Sequence, residues 1–237
     1  MSASRSPYDA IARLYDPWSA SVTEDVEFYV EEALASGGPV VELACGTGRI
    51  SVPVAKAGVA VIGVDASAGM LEVAHEYAVA EGVELDLRLG DLREPPVDER
   101  VPLVLIPFRS LLHMTTEAER LLALRAARSL LLPGGRLVFD VFAPSREDVE
   151  DTHGRWLERE PGIFERADWD EGERTLTLSV RRGEEASTMH LAWLSPPEWR
   201  LLLDRAGFDI AAQWGWFDRR PYAGGEDVVF AAVRRET

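Results

Sequence analysis

The strongest chemical signal in the chain is a ten-residue run, Val40 to Arg49 (VVELACGTGR). A strand-forming stretch ends there in Gly46 and Gly48, which let the backbone come close to a ligand, and the helix start that follows offers free N–H groups. Such a turn is either a plain tight β–α connection or a ligand cradle. The dinucleotide fingerprint G-x-G-x-x-G needs a third glycine for helix packing, and counting from Gly46 that position is Ser51. This disfavours a nicotinamide-dependent oxidoreductase. Asp65 and Asp91 each follow an apolar run, where a carboxylate is either a turn former or an acceptor for ligand hydroxyls. Further on, Pro107-Phe108-Arg109-Ser110-Leu111-Leu112-His113 follows another strand-like run. His113 is the candidate general base, since imidazole takes a proton near neutral pH, although a capping or core histidine fits equally well. Cys45 is the only cysteine, which leaves no intramolecular disulfide and no cysteine-cluster metal site.

The elements that must hold these residues alternate regularly. Apolar runs at Pro39–Ala44, Val59–Val64, Leu85–Leu89, Val101–Ile106 and Arg136–Phe142 read as strands. Between them lie helices: one after the Gly46 turn ending at Gly58, one from Ser67 to about Glu81, and one from Thr116 to Leu132. Thr116 with Glu119 is a capping box, and Ser21 with Glu24 opens an earlier helix with the stripe Val22, Val26, Tyr29, Val30 and Ala33. Strands alternating with helices at this spacing predict an α/β fold with a doubly wound, Rossmann-like parallel sheet. From 154 to 194 the pattern changes to four short alternating strands separated by turn signals, an antiparallel β insert after strand five. Residues 195–237 then add a proline-started helix and a strand pair, which completes seven strands with the last one antiparallel. The expected organisation is a main domain of 1–153 and 195–237 with a lid insert of 154–194.

On these motifs the chain resembles class I S-adenosylmethionine-dependent methyltransferases. Glu42-Leu43-Ala44-Cys45-Gly46-Thr47-Gly48 is similar to the family's first motif, Asp65 stands where the family places a ribose-binding acid, and Gly90-Asp91-Leu92 matches the adenine-holding motif. Leu132-Pro133-Gly134-Gly135 resembles the turn into strand five. The resemblance implies a cofactor site of Tyr15, Glu42, Ala44, Gly46, Gly48, Asp65, Ala66, Met70, Gly90, Asp91, Leu92 and Pro107. The N-terminal aromatics, the β insert and the tail are similar to small-molecule methyltransferases, among them the N-methyltransferases of deoxyamino sugars. In that group the N-terminal segment folds over the cofactor, with Tyr15, less so Tyr8, in contact with it; the other reading is a hydrophobic anchor. Arg109 departs from the small polar residue usual there. It would hold an anionic acceptor, bind the cofactor's carboxylate, or be solvated. The acceptor site is expected from Phe108, Arg109, Trp156, His190, Trp193 and Trp216, an aromatic pocket with few charges. No metal-ligand cluster is visible, so direct displacement without metal is expected.

The bulk composition narrows the partners. A formal charge of −16 repels phosphates over roughly a Debye length, about 8–10 Å, which argues against nucleic acid. No apolar run is long enough to span a bilayer, and no signal-peptide pattern opens the chain, so a cytoplasmic protein with a small-molecule acceptor is expected. A homodimer is compatible with the sequence. The competing function is a non-catalytic S-adenosylmethionine-binding module, which would keep Gly46, Gly48 and Asp65 without an acceptor pocket.

Overall fold

Four consecutive buried residues make the first strand, β1 (Val40–Leu43), and the same apolarity marks β2 (Val61–Asp65) and β4 (Val101–Ile106). Strands buried on both faces belong to a parallel sheet covered by helices on either side. In the computed structural model, which describes residues 6–21 and 23–236, these strands join β3 (Asp86–Leu89), β5 (Leu131–Phe142), β10 (Phe208–Trp214) and β11 (Asp227–Arg234). The seven run in the order β10-β11-β5-β4-β1-β2-β3. β1 to β5 are mutually parallel, and β11 lies antiparallel to both its neighbours. The strand order reverses between β1 and β4, and the carboxyl ends there form the crevice where open α/β sheets bind ligands.

Helices cover the two faces. On one side α5 (Glu117–Leu130) and α7 (Pro196–Ala206) bury Leu121, Leu124, Trp199 and Leu203 against Phe139 and Phe230 of the sheet. On the other, α2 (Glu24–Ser36) and α3 (Ser51–Lys56) bury Phe28, Tyr29 and Val54 against Leu103 and Val138. Each such side chain contributes roughly 1.5–3 kcal/mol through burial. Thr116 and Glu119 form the expected reciprocal capping box. Gly82 and Gly207, both in the left-handed region, terminate α4 (Ala68–Glu81) and α7.

A second sheet, β6 (Trp156–Glu160), β7 (Ile163–Asp170), β8 (Thr175–Arg182) and β9 (Glu185–Ala192), is antiparallel in that order. The N-terminal segment, a 3-10 turn at Pro7–Ala10 followed by α1 (Ala12–Trp18), joins it. Ile11 and Leu14 share a small buried cluster with Ile163, Val180 and Met189 of the insert.

Several local expectations need correction. Ser21 does not cap α2: the N-cap is Thr23, with no side-chain cap bond, and its N–H is met by Glu24. Val22 lies outside the described residues. Strand five begins at Leu131, so Pro133-Gly134-Gly135 lies inside it as a bulge between the pairs Val101–Leu131 and Leu103–Arg136. A helix missed in the sequence, α6 (Arg146–Thr152), opens on a Ser145–Asp148 capping box.

Candidate active site

At the end of β1 the chain turns through Ala44 (φ 60°), Gly46 (φ 56°) and Gly48 (φ 80°). The left-handed alanine costs about 1–2 kcal/mol, which the surrounding hydrogen bonds must offset. Asp65, at the tip of β2, supplies one: the Gly46 N–H donates to Oδ2 at 2.9 Å, while the Ser67 N–H donates to Oδ1 at 2.8 Å. Burial raises the Asp65 carboxyl above its ordinary value, and these backbone donors pull it back. The two glycines do different work. A Cβ on Gly46 would meet no atom within 4 Å, because the residue opens onto a cavity; one on Gly48 would press Ala74 and Val52 at 3.3 Å. Gly48 therefore serves helix packing, the duty the sequence reading sought at Ser51. Beneath the turn Cys45 Sγ packs on Gly63, where a Cβ would meet it at 2.9 Å. Glu42 is buried, accepts a hydrogen bond from Ser51 Oγ, and is pushed up to about 8 by desolvation.

The cavity measures about 710 Å³, in the upper half of the roughly 300–1,000 Å³ range of ligand pockets. Of the expected cofactor residues, Tyr15, Ala44, Gly46, Asp65, Ala66, Met70, Gly90, Asp91 and Leu92 line it; Glu42, Gly48 and Pro107 do not. A nucleoside-bearing ligand fits this side: an open glycine and two strand-end carboxylates face one hollow. Asp91 is partly engaged already, since Arg93 grips its carboxylate and holds it below the ordinary range.

On the acceptor side Phe108, Arg109 and His113 line the same cavity. The other four expected residues do not. Trp156 is exposed under the Arg181 guanidinium at 4.5 Å, and His190 stands on an exposed position beside Thr177 Oγ1. Trp193 is packed behind Trp169, and Trp216 leans on Phe217. His190 falls on the opposite face of β9 from the lining residue Leu191, Trp193 follows β9 and packs into the core, and Trp216 lies on the tail loop outside the cavity. The insert lines the hollow instead with Glu165, Ala167 and Trp169 of β7 and Leu176 and Leu178 of β8. These are period-two sets, so strand alternation was the signal that could have found them. The Trp169 indole N–H donates to Thr152 Oγ1 at 2.8 Å.

The cavity is also more charged than expected. Asp148, Glu165, Glu226 and Asp227 face it along with Arg109 and Arg159. Arg109 binds Asp227 at 2.7 Å and lies over the Phe142 ring, and Arg159 pairs with Glu165 at 2.9 Å. His113 ends a 3-10 turn, Ser110–His113, with Nε2 at 2.9 Å from the Tyr8 hydroxyl. Burial alone pushes its imidazole down to about 4. The N-terminal segment roofs both halves. Asp9 accepts from Ser67 Oγ at 2.6 Å and from the Gly69 N–H at 3.1 Å. Thr47 Oγ1 donates to Asp16 at 2.5 Å, and the Trp18 indole N–H donates to Glu165 at 3.0 Å. Burial raises the phenols of Tyr8 and Tyr15, which keeps both protonated.

The β1 turn, the acid at the tip of β2 and the acid after β3 thus open onto one roofed cavity at the carboxyl ends of a doubly wound sheet. Residues 40–135 match the family model described as a methyltransferase domain. Residues 40–135 thus carry a methyltransferase domain. YqeM, a Bacillus subtilis protein named as a methyltransferase, is 32% identical over 136 residues, which covers 56% of this chain and 55% of that one. The matched chain thus spans about half the length of that relative. The cypemycin N-terminal methyltransferase of a Streptomyces species is 23% identical over 97% of this chain and 94% of its own. Among solved structures, the CcbJ methyltransferase of Streptomyces caelestis superposes with a TM-score of 0.85 at 27% identity, covering 98% of this chain and 99% of that one. No helix among the described residues is long and apolar enough to cross a membrane.

Proposed function

We propose that this protein transfers a methyl group from S-adenosylmethionine to the nitrogen of a small-molecule amine by direct displacement. The observation that carries this reading is the continuous cavity that runs from Gly46, Asp65 and Asp91 past Phe108 and His113 to the insert residues Ala167, Trp169 and Leu178. A binding module without chemistry has no use for that second half. Nitrogen is favoured over oxygen by the charge of the acceptor side of the lining: Arg109 and Arg159 are paired with Asp227 and Glu165, which leaves Asp148 and Glu226 as a surplus of negative charge. An arginine held by Asp227 is a poor anchor for an anionic acceptor, whereas an acidic lining draws a protonated amine. One curated relative is also named for an N-terminal acceptor.

When bound, S-adenosylmethionine supplies a methyl carbon on a positively charged sulfur, open to direct attack. The chain's own residues have three tasks. Asp65 and the Gly46 turn fix the cofactor side. Phe108, Tyr8 and Tyr15 wall the reaction space and exclude water, and orientation of this kind supplies roughly 7–11 kcal/mol. His113, uncharged near neutral pH, is too weak a base to ionise a hydroxyl; with Nε2 at 2.9 Å from the Tyr8 hydroxyl, it orients that wall of the reaction space. The amine's excess proton leaves to solvent before the site closes; its lone pair would then form the N–C bond as the S–C bond breaks, its electrons returning to sulfur in S-adenosylhomocysteine as the leaving group.

The test is transfer of labelled methyl from S-adenosylmethionine to a panel of small amines and matched alcohols and phenols. Methylation of at least one amine at nitrogen is expected, with none of the alcohols modified. Label found only on oxygen would overturn the choice of atom. A protein that binds the cofactor tightly but labels nothing in a broad panel would favour the binding module.

A further inference from the structure

Asp140 is almost fully buried on β5, does not line the cavity, and has no part in the chemistry above. It nevertheless makes three hydrogen bonds that converge on one place. The Phe108 N–H donates to Oδ1 at 2.7 Å and the Arg109 N–H to Oδ2 at 2.9 Å. The Tyr29 hydroxyl, fully buried on α2, donates to Oδ1 at 2.5 Å. Phe108 and Arg109 are consecutive non-glycine residues in the left-handed region, at φ 55° and 61°. Side chains rarely adopt that conformation even singly, and strained backbone persists only where its surroundings over-determine it. Two successive N–H groups aimed at one anion form a concave nest, and the Asp140 carboxylate fills it.

The consequence of the turn is the position of one ring. Phe108 is delivered into the cavity, where Tyr15 meets it edge-on at 6.1 Å and the Arg49 guanidinium covers it at 4.4 Å. Arg49 is itself locked by a two-pronged ion pair with the buried Asp25. The Asp140 carboxyl is pushed up to about 6 by its burial, with the Tyr29 hydroxyl acting against that rise. The ring between cofactor side and acceptor side is therefore fixed from below by Asp140 and from above by Arg49.

We propose that Asp140, backed by Tyr29, is a positioning residue for methyl transfer: it clamps the left-handed turn at Phe108 and Arg109 so that the Phe108 ring forms a fixed wall of the reaction space. This rests on the methyltransferase reading. The experiment takes the full chain with the best acceptor from the amine panel. It compares Asp140→Asn, Arg109→Gly and the double variant, with Tyr29→Phe as a milder probe. Asparagine leaves one of the two N–H groups facing a donor, so Asp140→Asn should lower kcat at least tenfold and leave cofactor affinity within threefold. Glycine at 109 accepts the left-handed conformation without the clamp. In the Arg109→Gly background the same Asp140→Asn change should therefore cost threefold or less, an interaction a merely structural acid would not produce. Amide exchange at Phe108 and Arg109 should speed up in Asp140→Asn relative to the rest of the sheet. Tyr29→Phe should lower kcat by about threefold; if Asp140→Asn does not fold, an unchanged kcat in Tyr29→Phe overturns the proposal. Wild-type kcat in Asp140→Asn overturns it, as does an equal loss in both backgrounds. A wild-type protein that binds cofactor but methylates no acceptor removes the underlying reading instead.

Discussion

At the scale of residues, the site is organised by acids that hold backbone. Asp65 accepts from the Gly46 and Ser67 N–H groups, yet a carboxylate has about four lone-pair positions, so acceptor capacity remains toward the cavity. Asp65→Ala removes both the tether of the glycine turn and the acceptor offered to cofactor hydroxyls. It should weaken S-adenosylmethionine binding by about 1.5–3 kcal/mol, the worth of charged hydrogen bonds. Calorimetry decides this, and an affinity within threefold of wild type would remove Asp65 from the site. His113 shows the same economy differently. Its residue type suggests a base, but a buried imidazole at 2.9 Å from a protonated phenol is an orienting group. Arg109, read as an anion anchor from its type alone, is neutralised by Asp227, a residue 118 positions away.

At the scale of elements, the roof is made by two pieces distant in sequence, the N-terminal segment and the β insert, which meet over the carboxyl ends of the sheet. Their shared cluster of Ile11, Leu14, Ile163, Val180 and Met189 is small and separate from the main core. Such a cluster opens locally rather than with the whole fold. Leu14→Ala, at a fully buried position, removes about 2 kcal/mol or more of packing. It should speed cofactor dissociation at least tenfold in stopped-flow measurements, while Tm falls by only a few degrees. An unchanged dissociation rate would mean the segment does not gate the cofactor. The parallel sheet was legible in the sequence because buried strands and capped helices leave local patterns: Val101–Ile106 and the Thr116–Glu119 box stand where they were read. The cofactor turn was legible because its glycines and acids are consecutive with those elements. The acceptor side was not, because its residues are chosen by strand parity and by long-range pairing. Trp169 rather than Trp156 or Trp193 faces the hollow; alternation groups Glu165, Ala167 and Trp169 on one face of β7, but which face meets the hollow is decided by how the insert packs over the sheet.

At the scale of the whole molecule, the pH dependence of stability is shaped by three buried groups, Glu42 and Asp140 shifted up and His113 shifted down. Unfolded, Glu42 would ionise near 4.5; folded, it does so near 8. The native state therefore keeps a proton that the unfolded chain has lost, and Glu42 lowers stability progressively as pH rises from about 4.5 toward 8. His113 is the reverse. Its folded value near 4 lies below the ordinary 6.5, so the unfolded chain binds the extra proton and stability is lost as pH falls from about 6.5 toward 4. Asp140, raised to about 6, acts in the same sense as Glu42 but only below that pH. Between pH 6.5 and 8 Glu42 is left as the main contributor, and unfolding free energy should fall by about 2 kcal/mol across that window. Glu42→Gln replaces the protonated carboxyl with a neutral amide that can still accept from Ser51 Oγ. Urea titrations at pH 6.5 and 8 should show that loss in the wild type and little of it in Glu42→Gln. If both proteins lose the same stability, Glu42 is already ionised in the folded protein near neutral pH, and the buried acid beneath the cofactor turn carries a charge rather than a proton.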